Sequence, residues 1–375
     1  MIKPLILAFC VVSGFAVLSP QTPDWQPSPG HTQVPIWPCK APGAVPIAGP
    51  EVTTTVQNPG DPPATVVSRV SRPTMTVYSP KGKNTGAAVV VFPGGGYWVV
   101  YMDLEGTEVC DWLTPKGITC VLLKYRVPGE HLSPRSGAYP KSPIALEDAQ
   151  RTVGLVRFHA AEWGINPHKI GVLGFSAGGH LVAAVSTHFK QRLYRAVDAA
   201  DKESCRPDFG VALYPGHMLE NTSKRFELNP YVPVTSQTPP TFIVQAEDDP
   251  IDDVDNSLVY YAALKKAGVP VEMHLYSHGG HGFGLRRTKS PITEWPQLAE
   301  TWLETIGITS ESLLRDARAI SVGEKSITLI RLGRDEVGGM GLRRERSSRL
   351  RCFLLGSGPM WFCLGTLLTR RCMTL

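Results

Sequence analysis

The sequence predicts an α/β protein with a mostly parallel central sheet and helices on both faces of that sheet. Apolar runs of strand length alternate with segments of helical period through residues 71–308. The 375 residues are 42% hydrophobic, which is enough apolar material for a full core. This composition excludes a disordered or collagen-like chain.

The first predicted strand is Thr74–Pro80, and the apolar run Ala87–Phe92 is typical of a strand buried on both faces. Further runs of this kind lie at 118–125, 169–175, 209–215, 241–247 and 271–277. Between them, helical period predicts helices at Leu104–Lys116, Ile144–Trp163, Ala177–His188, Ser257–Ala267 and Pro296–Ile308. These elements make residues 71–308 one domain.

The N-terminal residues 1–19 resemble a secretory signal peptide, with Lys3 ahead of the apolar run Leu5–Leu18. We therefore expect a secreted or periplasmic protein. A retained membrane anchor is the alternative, although the run is short for a membrane span, and no stable span is expected.

Residues 20–70 form a proline-rich segment that we interpret as an extended arm. Twelve prolines between residues 20 and 63 are too many for a helix or the interior of a sheet. Trp25 and Trp37 either pin the arm onto the domain or lie in an exposed linker.

Charge separates the C-terminal residues 309–375 from the rest of the chain. They carry 12 Lys and Arg against 6 Asp and Glu, which leaves 26 against 27 for residues 1–308. A neutral body argues against a nucleic-acid partner. We expect the tail to be poorly ordered or non-native; the apolar stretch 352–368 as a membrane anchor is the alternative.

Four cysteines remain in the predicted domain and arm: Cys39, Cys110, Cys120 and Cys205. Cys110 and Cys120 lie in apolar periodic stretches, where buried free thiols are the usual outcome. No CxxC pair occurs, so the sequence gives no support to a zinc or redox centre, and no cofactor is predicted.

The clearest motif is Gly174-Phe175-Ser176-Ala177-Gly178, which lies between a predicted strand and a predicted helix. This context indicates a nucleophile elbow, in which Ser176 points out above the sheet edge. Small residues on either side allow the sharp turn.

A second motif, Pro93-Gly94-Gly95-Gly96, follows the predicted strand 87–92. Its glycines favour an oxyanion hole, with the amides of Gly95 and Gly96 joined by that of Ala177. A plain glycine turn or a phosphate loop is the alternative, but the lysine and hydroxyl of a Walker loop are absent. The next residues, Tyr97 and Trp98, are candidates for the substrate pocket; Trp98 could equally be core.

A serine nucleophile needs a base, and the glycine-rich loop after the last predicted strand carries His278 and His281. We favour His281 as the base and a solvated loop position for His278. The neighbouring carboxylates lack the spacing of zinc ligands, so no metal is predicted.

The acid that orients the base is expected after the strand 241–247, where several carboxylates follow in sequence. We favour Asp249, with Asp248 as the nearest alternative. Asp252 and Asp253 are expected to cap the following helix. A calcium loop is the metal alternative, but it lacks the required glycine.

The order Ser176, Asp249, His281 is that of the α/β-hydrolase triad. With the segments PGGGY, GFSAGG and GGHGFG, residues 70–308 resemble the secreted α/β-hydrolase esterases, a group that includes acetylxylan-esterase-like and feruloyl-esterase-like enzymes. The resemblance implies a serine carboxylesterase that acts on short-chain acyl esters of small or carbohydrate alcohols. A serine peptidase of the same fold and a catalytically silent binding protein are the alternatives.

The predicted site is open. About 26 residues separate Tyr214 from Thr241, too few for a large cap domain, so only the proline-rich arm could cover it. An open site with nearby aromatic side chains favours short acyl groups over long-chain lipids.

Overall fold

A computed structural model describes residues 24–43, 47, 49–57, 63–128, 137–219 and 226–309, together with the dipeptides 331–332 and 342–343. The chain divides into two units, Met1–Ser312 and Leu313–Leu375.

The first unit is built around an eight-stranded sheet. In chain order its strands are β1 (Gln33–Pro35), β4 (Thr74–Tyr78), β5 (Ala88–Phe92), β7 (Thr119–Lys124), β8 (Ile170–Phe175), β9 (Gly210–Leu213), β10 (Thr241–Ala246) and β11 (Val271–Tyr276). A smaller sheet contains β2 (Val52–Val56), β3 (Ala64–Ser68) and β6 (Val99–Tyr101). The spatial order is β1-β4-β7-β5-β8-β9-β10-β11. In this order, each neighbouring pair from β7 through β5 to β11 is parallel. Strand β4 pairs antiparallel with β7, and β1 pairs antiparallel with β4 at the edge of the sheet.

Five α-helices accompany this sheet in the described residues: α1 (Glu108–Leu113), α2 (Ile144–Phe158), α3 (Ala177–Thr187), α4 (Asp255–Lys266) and α5 (Trp295–Thr305). Strands β5, β7, β8, β9 and β10 are buried at every residue, as expected for strands covered on both faces. The predicted α/β class with a mostly parallel sheet is confirmed, since a strand forms within each predicted strand and an α-helix within each predicted helix.

The largest difference among these elements lies in the predicted helix 104–116. It consists of a π-helical turn at Asp103–Thr107, helix α1 and a 3₁₀ turn at Thr114–Lys116. Pro115 lacks an amide hydrogen and Gly117 follows with φ 80°, so the helix ends here.

The proline-rich segment is part of the folded body. Besides β1, it supplies β2 (Val52–Val56) and β3 (Ala64–Ser68), which form an antiparallel sheet with β6 (Val99–Tyr101). Trp25 and Trp37 are buried, and Trp37 Nε1 donates a hydrogen bond to Asp148 Oδ1 at 2.8 Å. Of the two interpretations, the structure shows the pinned one, and the segment is more regular than an extended arm.

Cys110 and Cys120 form a disulfide, which corrects the expectation of free thiols. Both are buried, as expected, but α1 packs against β7 and brings their Cα atoms to 5.2 Å. Apolar periodicity indicates burial and not which buried side chains face each other. Cys39 and Cys205 are free.

In the second unit the structure describes one antiparallel pair, β12 (Arg331–Leu332) with β13 (Leu342–Arg343). The predicted signal peptide and the expected character of the tail lie outside the described residues. None of the described helices combines the length and the apolar character that a membrane crossing requires.

Candidate active site

The predicted elbow forms at the end of β8. Ser176 lies between β8 and α3 with φ 51° and ψ −118°, a backbone conformation that residues other than glycine rarely adopt. A Cβ at Gly174 would overlap the carbonyl oxygen of Gly178, and one at Gly178 would overlap that of Phe92. Glycine at both positions therefore allows the turn that lifts Ser176 above the sheet edge.

The glycine loop after β5 lies against this serine. A Cβ at Gly94 would be 3.1 Å from Cβ of Ser176. In the described part of the chain, the amides of Gly95, Gly96 and Ala177 have no hydrogen-bond acceptor. Gly95 and Gly96 line the same cavity as Ser176, so the three amides stay candidate oxyanion donors.

Glu105 contacts the glycine loop, although none of the sequence motifs includes it. Its Oε2 accepts from the Gly94 amide at 2.7 Å, and its Oε1 accepts from the Tyr214 hydroxyl at 2.7 Å. Burial raises the pKa of Glu105, although both hydrogen bonds and the charge of His281 favour its ionised form. An acidic residue inside an apolar helical stretch was the available sequence signal.

His281 and Asp249 lie together beyond β11 and β10. His281 Nδ1 is 2.8 Å from Asp249 Oδ2, a distance at which Nδ1–H donates to the carboxylate. The other oxygen, Oδ1, accepts from the amides of Ile251 and Asp252, at 2.9 and 3.0 Å. The carboxylate is thus fixed against the imidazole.

This pairing shifts both pKa values. Burial alone would raise the pKa of Asp249, but the hydrogen bonds from His281 and the two amides outweigh it and lower the pKa. Burial alone would lower the pKa of His281; the hydrogen bond and charge of Asp249, with the charges of Asp252 and Glu105, raise it instead.

Asp248, the alternative acid, has other partners. Its Oδ1 accepts from the amides of Gly279 and Gly280 at 2.9 and 2.8 Å, and its Oδ2 is 3.2 Å from His278 Nδ1. The His278 side chain is 83% exposed. Asp248 therefore holds the histidine loop in place, and Asp249 is the carboxylate that contacts His281.

Asp252 corrects another expectation, because it enters the site and does not cap α4. The Ser176 hydroxyl donates to Asp252 Oδ2 at 3.2 Å, and His281 Nε2 lies 4.0 Å from the same oxygen. Asp253, the other expected cap, accepts from the Asp255 amide at 2.9 Å, where α4 begins. The Ser176 hydroxyl is thus hydrogen-bonded to Asp252, and His281 Nε2 lies close to the same carboxylate.

Ser176 and His281 open into a cavity of about 850 Å³. Trp98 lines it and is 39% exposed, whereas Tyr97 is buried and does not line it. Tyr97 has φ 63°, which turns its side chain inward, and its hydroxyl lies 2.7 Å from His180 Nδ1. The prediction of Tyr97 as a pocket residue is therefore wrong.

The remaining cavity walls come from several elements, including the proline-rich segment. They include Gly95, Gly96, Glu105, Ile251, Asp252, Arg286 and, from β2 and β3, Val56 and Ala64. Among the described residues, no cluster of His, Cys, Asp and Glu side chains has the arrangement to hold a metal ion.

Two family models match the chain. The prolyl oligopeptidase family matches residues 148–305, and the family described as BD-FAE matches residues 75–215. An acetylxylan esterase of Xylanibacter ruminicola is 30% identical over 254 residues, 62% of this chain and 48% of that protein. The chain thus spans about half the length of this curated relative.

The fold and the elbow define an α/β-hydrolase. The same fold occurs in a Thermogutta terrifontis esterase, with a TM-score of 0.55 and 23% identity over 66% of this chain and 94% of that one. The acetyl ester-xyloside bifunctional hydrolase of Caldicellulosiruptor lactoaceticus has a TM-score of 0.58 and 33% identity over 74% of this chain and 97% of that one. The chain belongs to the α/β-hydrolase esterases.

Proposed function

We propose that the protein is a serine carboxylesterase that hydrolyses short-chain acyl esters through an acyl-enzyme. One observation carries this proposal: Ser176 lies at a strained elbow and lines one cavity with Gly95 and His281, and His281 pairs with Asp249 at 2.8 Å. A nucleophile, a base with its orienting acid, and oxyanion donors are the groups that acyl transfer requires.

In the proposed reaction, Ser176 Oγ bonds to the ester carbonyl carbon while its proton passes to His281 Nε2. The carbonyl oxygen becomes an oxyanion, which the amides of Gly95 and Ala177 stabilise, with Gly96 as a further donor. His281 then gives the proton to the alcohol oxygen as the C–O bond breaks. Water attacks the acyl-enzyme by the same route and releases the acid.

The cavity supports short acyl groups and soluble, bulky alcohols. It holds about 850 Å³, and the described residues include no cap domain above it. The relatives include an acetylxylan esterase and an acetyl ester-xyloside hydrolase. Acylated carbohydrate is accordingly the substrate class we propose.

Hydrolysis of p-nitrophenyl acetate tests the proposal. We expect Ser176→Ala to lower kcat by at least about 10³-fold, because the nucleophile is lost. Ser71→Ala is a matched control, since Ser71 is exposed on the surface. Equal rates for wild type and Ser176→Ala would contradict the proposal.

A series of acyl chains then defines the substrate. We expect acetyl and butyryl esters to be cleaved faster than long-chain esters, and acetylated xylan and methyl ferulate to separate deacetylation from deferuloylation. Dominant activity on long-chain lipids would contradict the open-site argument.

A serine peptidase is the second candidate, and the prolyl oligopeptidase match over residues 148–305 favours it. Peptidyl p-nitroanilides distinguish the two. A peptidase would cleave these amides in a Ser176-dependent reaction, whereas we expect no measurable amide cleavage under conditions in which p-nitrophenyl acetate is hydrolysed.

We also propose export from the cytoplasm. The pattern of Lys3 and the apolar run Leu5–Leu18 supports it, and so does the Cys110–Cys120 disulfide, since disulfides persist in oxidising compartments. The mass of the mature protein tests this: removal of about the first 19 residues is expected, and an intact N-terminus in the cytoplasm would contradict it.

A further inference from the structure

The carboxyl group of Asp252 lies close to both the nucleophile and the base. The main chain of Asp252 is fixed by two hydrogen bonds: its amide donates to Asp249 Oδ1 at 3.0 Å, and its carbonyl oxygen accepts from Gln245 Nε2 at 3.1 Å. The carboxyl group packs so closely on Gly216 that a Cβ there would lie within 2.5 to 2.8 Å of its atoms. The position of this carboxylate is therefore built into the site.

Asp252 needs a hydrogen-bond donor, and in this state Ser176 supplies it at 3.2 Å. The proposed reaction takes that donor away, because Ser176 must give its proton to His281. The Asp252 side chain is only 18% exposed, and a bound ester would exclude water further. A carboxylate left without a donor in such a place is destabilised.

The alcohol half of the ester is the part of the substrate that can replace Ser176 as donor. The alcohol oxygen must approach His281 Nε2 to receive the proton, and Asp252 Oδ2 lies 4.0 Å from that nitrogen. A hydroxyl on the carbon next to the ester-bearing carbon can span this separation. Such a hydroxyl would also release the Ser176 hydroxyl to turn toward His281.

Resting on the esterase activity proposed above, we propose that Asp252 is a specificity-determining residue that accepts a hydrogen bond from a hydroxyl adjacent to the scissile ester on the alcohol half. The favoured substrates are monoesters of vicinal diols, including sugar rings with a free hydroxyl next to the acyl group. Esters of simple alcohols lack this hydrogen-bond donor, and so do diol esters in which the neighbouring hydroxyl is also esterified or alkylated.

A pair of small esters isolates this interaction: 2-hydroxyethyl acetate, which can donate, and 2-methoxyethyl acetate, which cannot. Acetate release gives kcat/KM for each. We expect the wild type to favour the hydroxyl ester by about tenfold or more, since a hydrogen bond to a charged group is strong. In Asp252→Asn the ratio is expected to fall at least about fivefold, and in Asp252→Val to near one.

Asp253→Asn is the control, because it removes the neighbouring charge and should keep the wild-type ratio. A ratio near one in the wild type would overturn the inference without any variant. So would an equal fall in both rates in Asp252→Asn, which a merely structural role would produce. If neither ester shows Ser176-dependent hydrolysis by the wild type, the proposed function fails instead.

Discussion

The two halves of the candidate site are built in different ways. In the nucleophile half, the loop Gly94–Gly96 and the elbow Gly174–Gly178, close backbone approaches determine which residues fit. In the acid–histidine half, the loops Asp248–Asp252 and His278–His281, hydrogen bonds between side chains and amides decide what each residue does. Steric demands leave a motif in the sequence, whereas the choice among several carboxylates is made only by tertiary contacts.

The three carboxylates of the acid–histidine half show this clearly. Asp248 accepts from two loop amides, Asp249 contacts His281, and Asp252 contacts Ser176. The hydrogen bonds lower the pKa values of Asp248 and Asp249, whereas burial raises that of Asp252. Near neighbours of the same residue type thus have different partners and pKa values shifted in opposite directions.

The largest expected effect comes from exchanging these carboxylates one at a time. Asp249→Asn removes the charge that orients His281 and stabilises its protonated form, so kcat on p-nitrophenyl acetate should fall by about 10³- to 10⁴-fold. Asp248→Asn should change kcat by less than about threefold, since the asparagine oxygen can still accept from the amides of Gly279 and Gly280. Equal losses in both variants would contradict the assignment of Asp249.

In the nucleophile half, an added methyl group should break the backbone approach. Gly178→Ala places a Cβ against the carbonyl oxygen of Phe92, and we expect the free energy of unfolding to fall by about 3 kcal/mol. Gly268→Ala is the control: nothing lies within 4 Å of the added Cβ, so only the strain of the positive φ at Gly268 remains, and about 1 kcal/mol is expected. Urea unfolding measures both, and equal losses would show that contact with Phe92 is unimportant.

Glu105→Gln tests whether the hydrogen bonds of Glu105 position the glycine loop. A glutamine can offer an oxygen to only one of its two donors, Gly94 and Tyr214, so the loop should lose its position. We expect kcat to fall by about 10- to 100-fold with little change in KM. Glu162→Gln, at an exposed position, should behave as wild type, and an unchanged kcat in Glu105→Gln would refute the positioning role.

The smallest expected effect is on the pH profile. Because His281 acts as a base only when neutral and its pKa is raised, kcat/KM should increase with pH and reach half its maximum above pH 6.5. Asp252→Asn removes one negative charge that favours the imidazolium form, so the midpoint should move to lower pH. A midpoint that moves upward would contradict the electrostatic account of this half.

Much of the fold was predictable, because strands buried on both faces appear as continuous apolar runs. Val52–Val56 and Ala64–Ser68 were missed, since their short runs stand among prolines and, in the part of the chain that the structure describes, pair only with each other and β6. The Cys110–Cys120 disulfide was missed for a related reason, because the contact depends on how α1 packs on β7.

The site was predictable to the same degree. The positions of Ser176, His281 and the glycine loop followed from motifs, and the structure brings them together. Tyr97 was misplaced because a single positive φ turned it away from the cavity. Asp252 was assigned to a helix cap because helix-start preferences describe local sequence and not the contact with Ser176.

Reaction with a fluorophosphonate, followed by mass spectrometry of the peptides, tests the central claim most directly. The phosphonyl group bonds to an activated serine oxygen and places its own oxygen where the oxyanion would lie. We predict one adduct per chain, on Ser176, with labelling greatly slowed in Asp249→Asn. An unlabelled Ser176, or adducts spread over other serines at similar rates, would contradict the account.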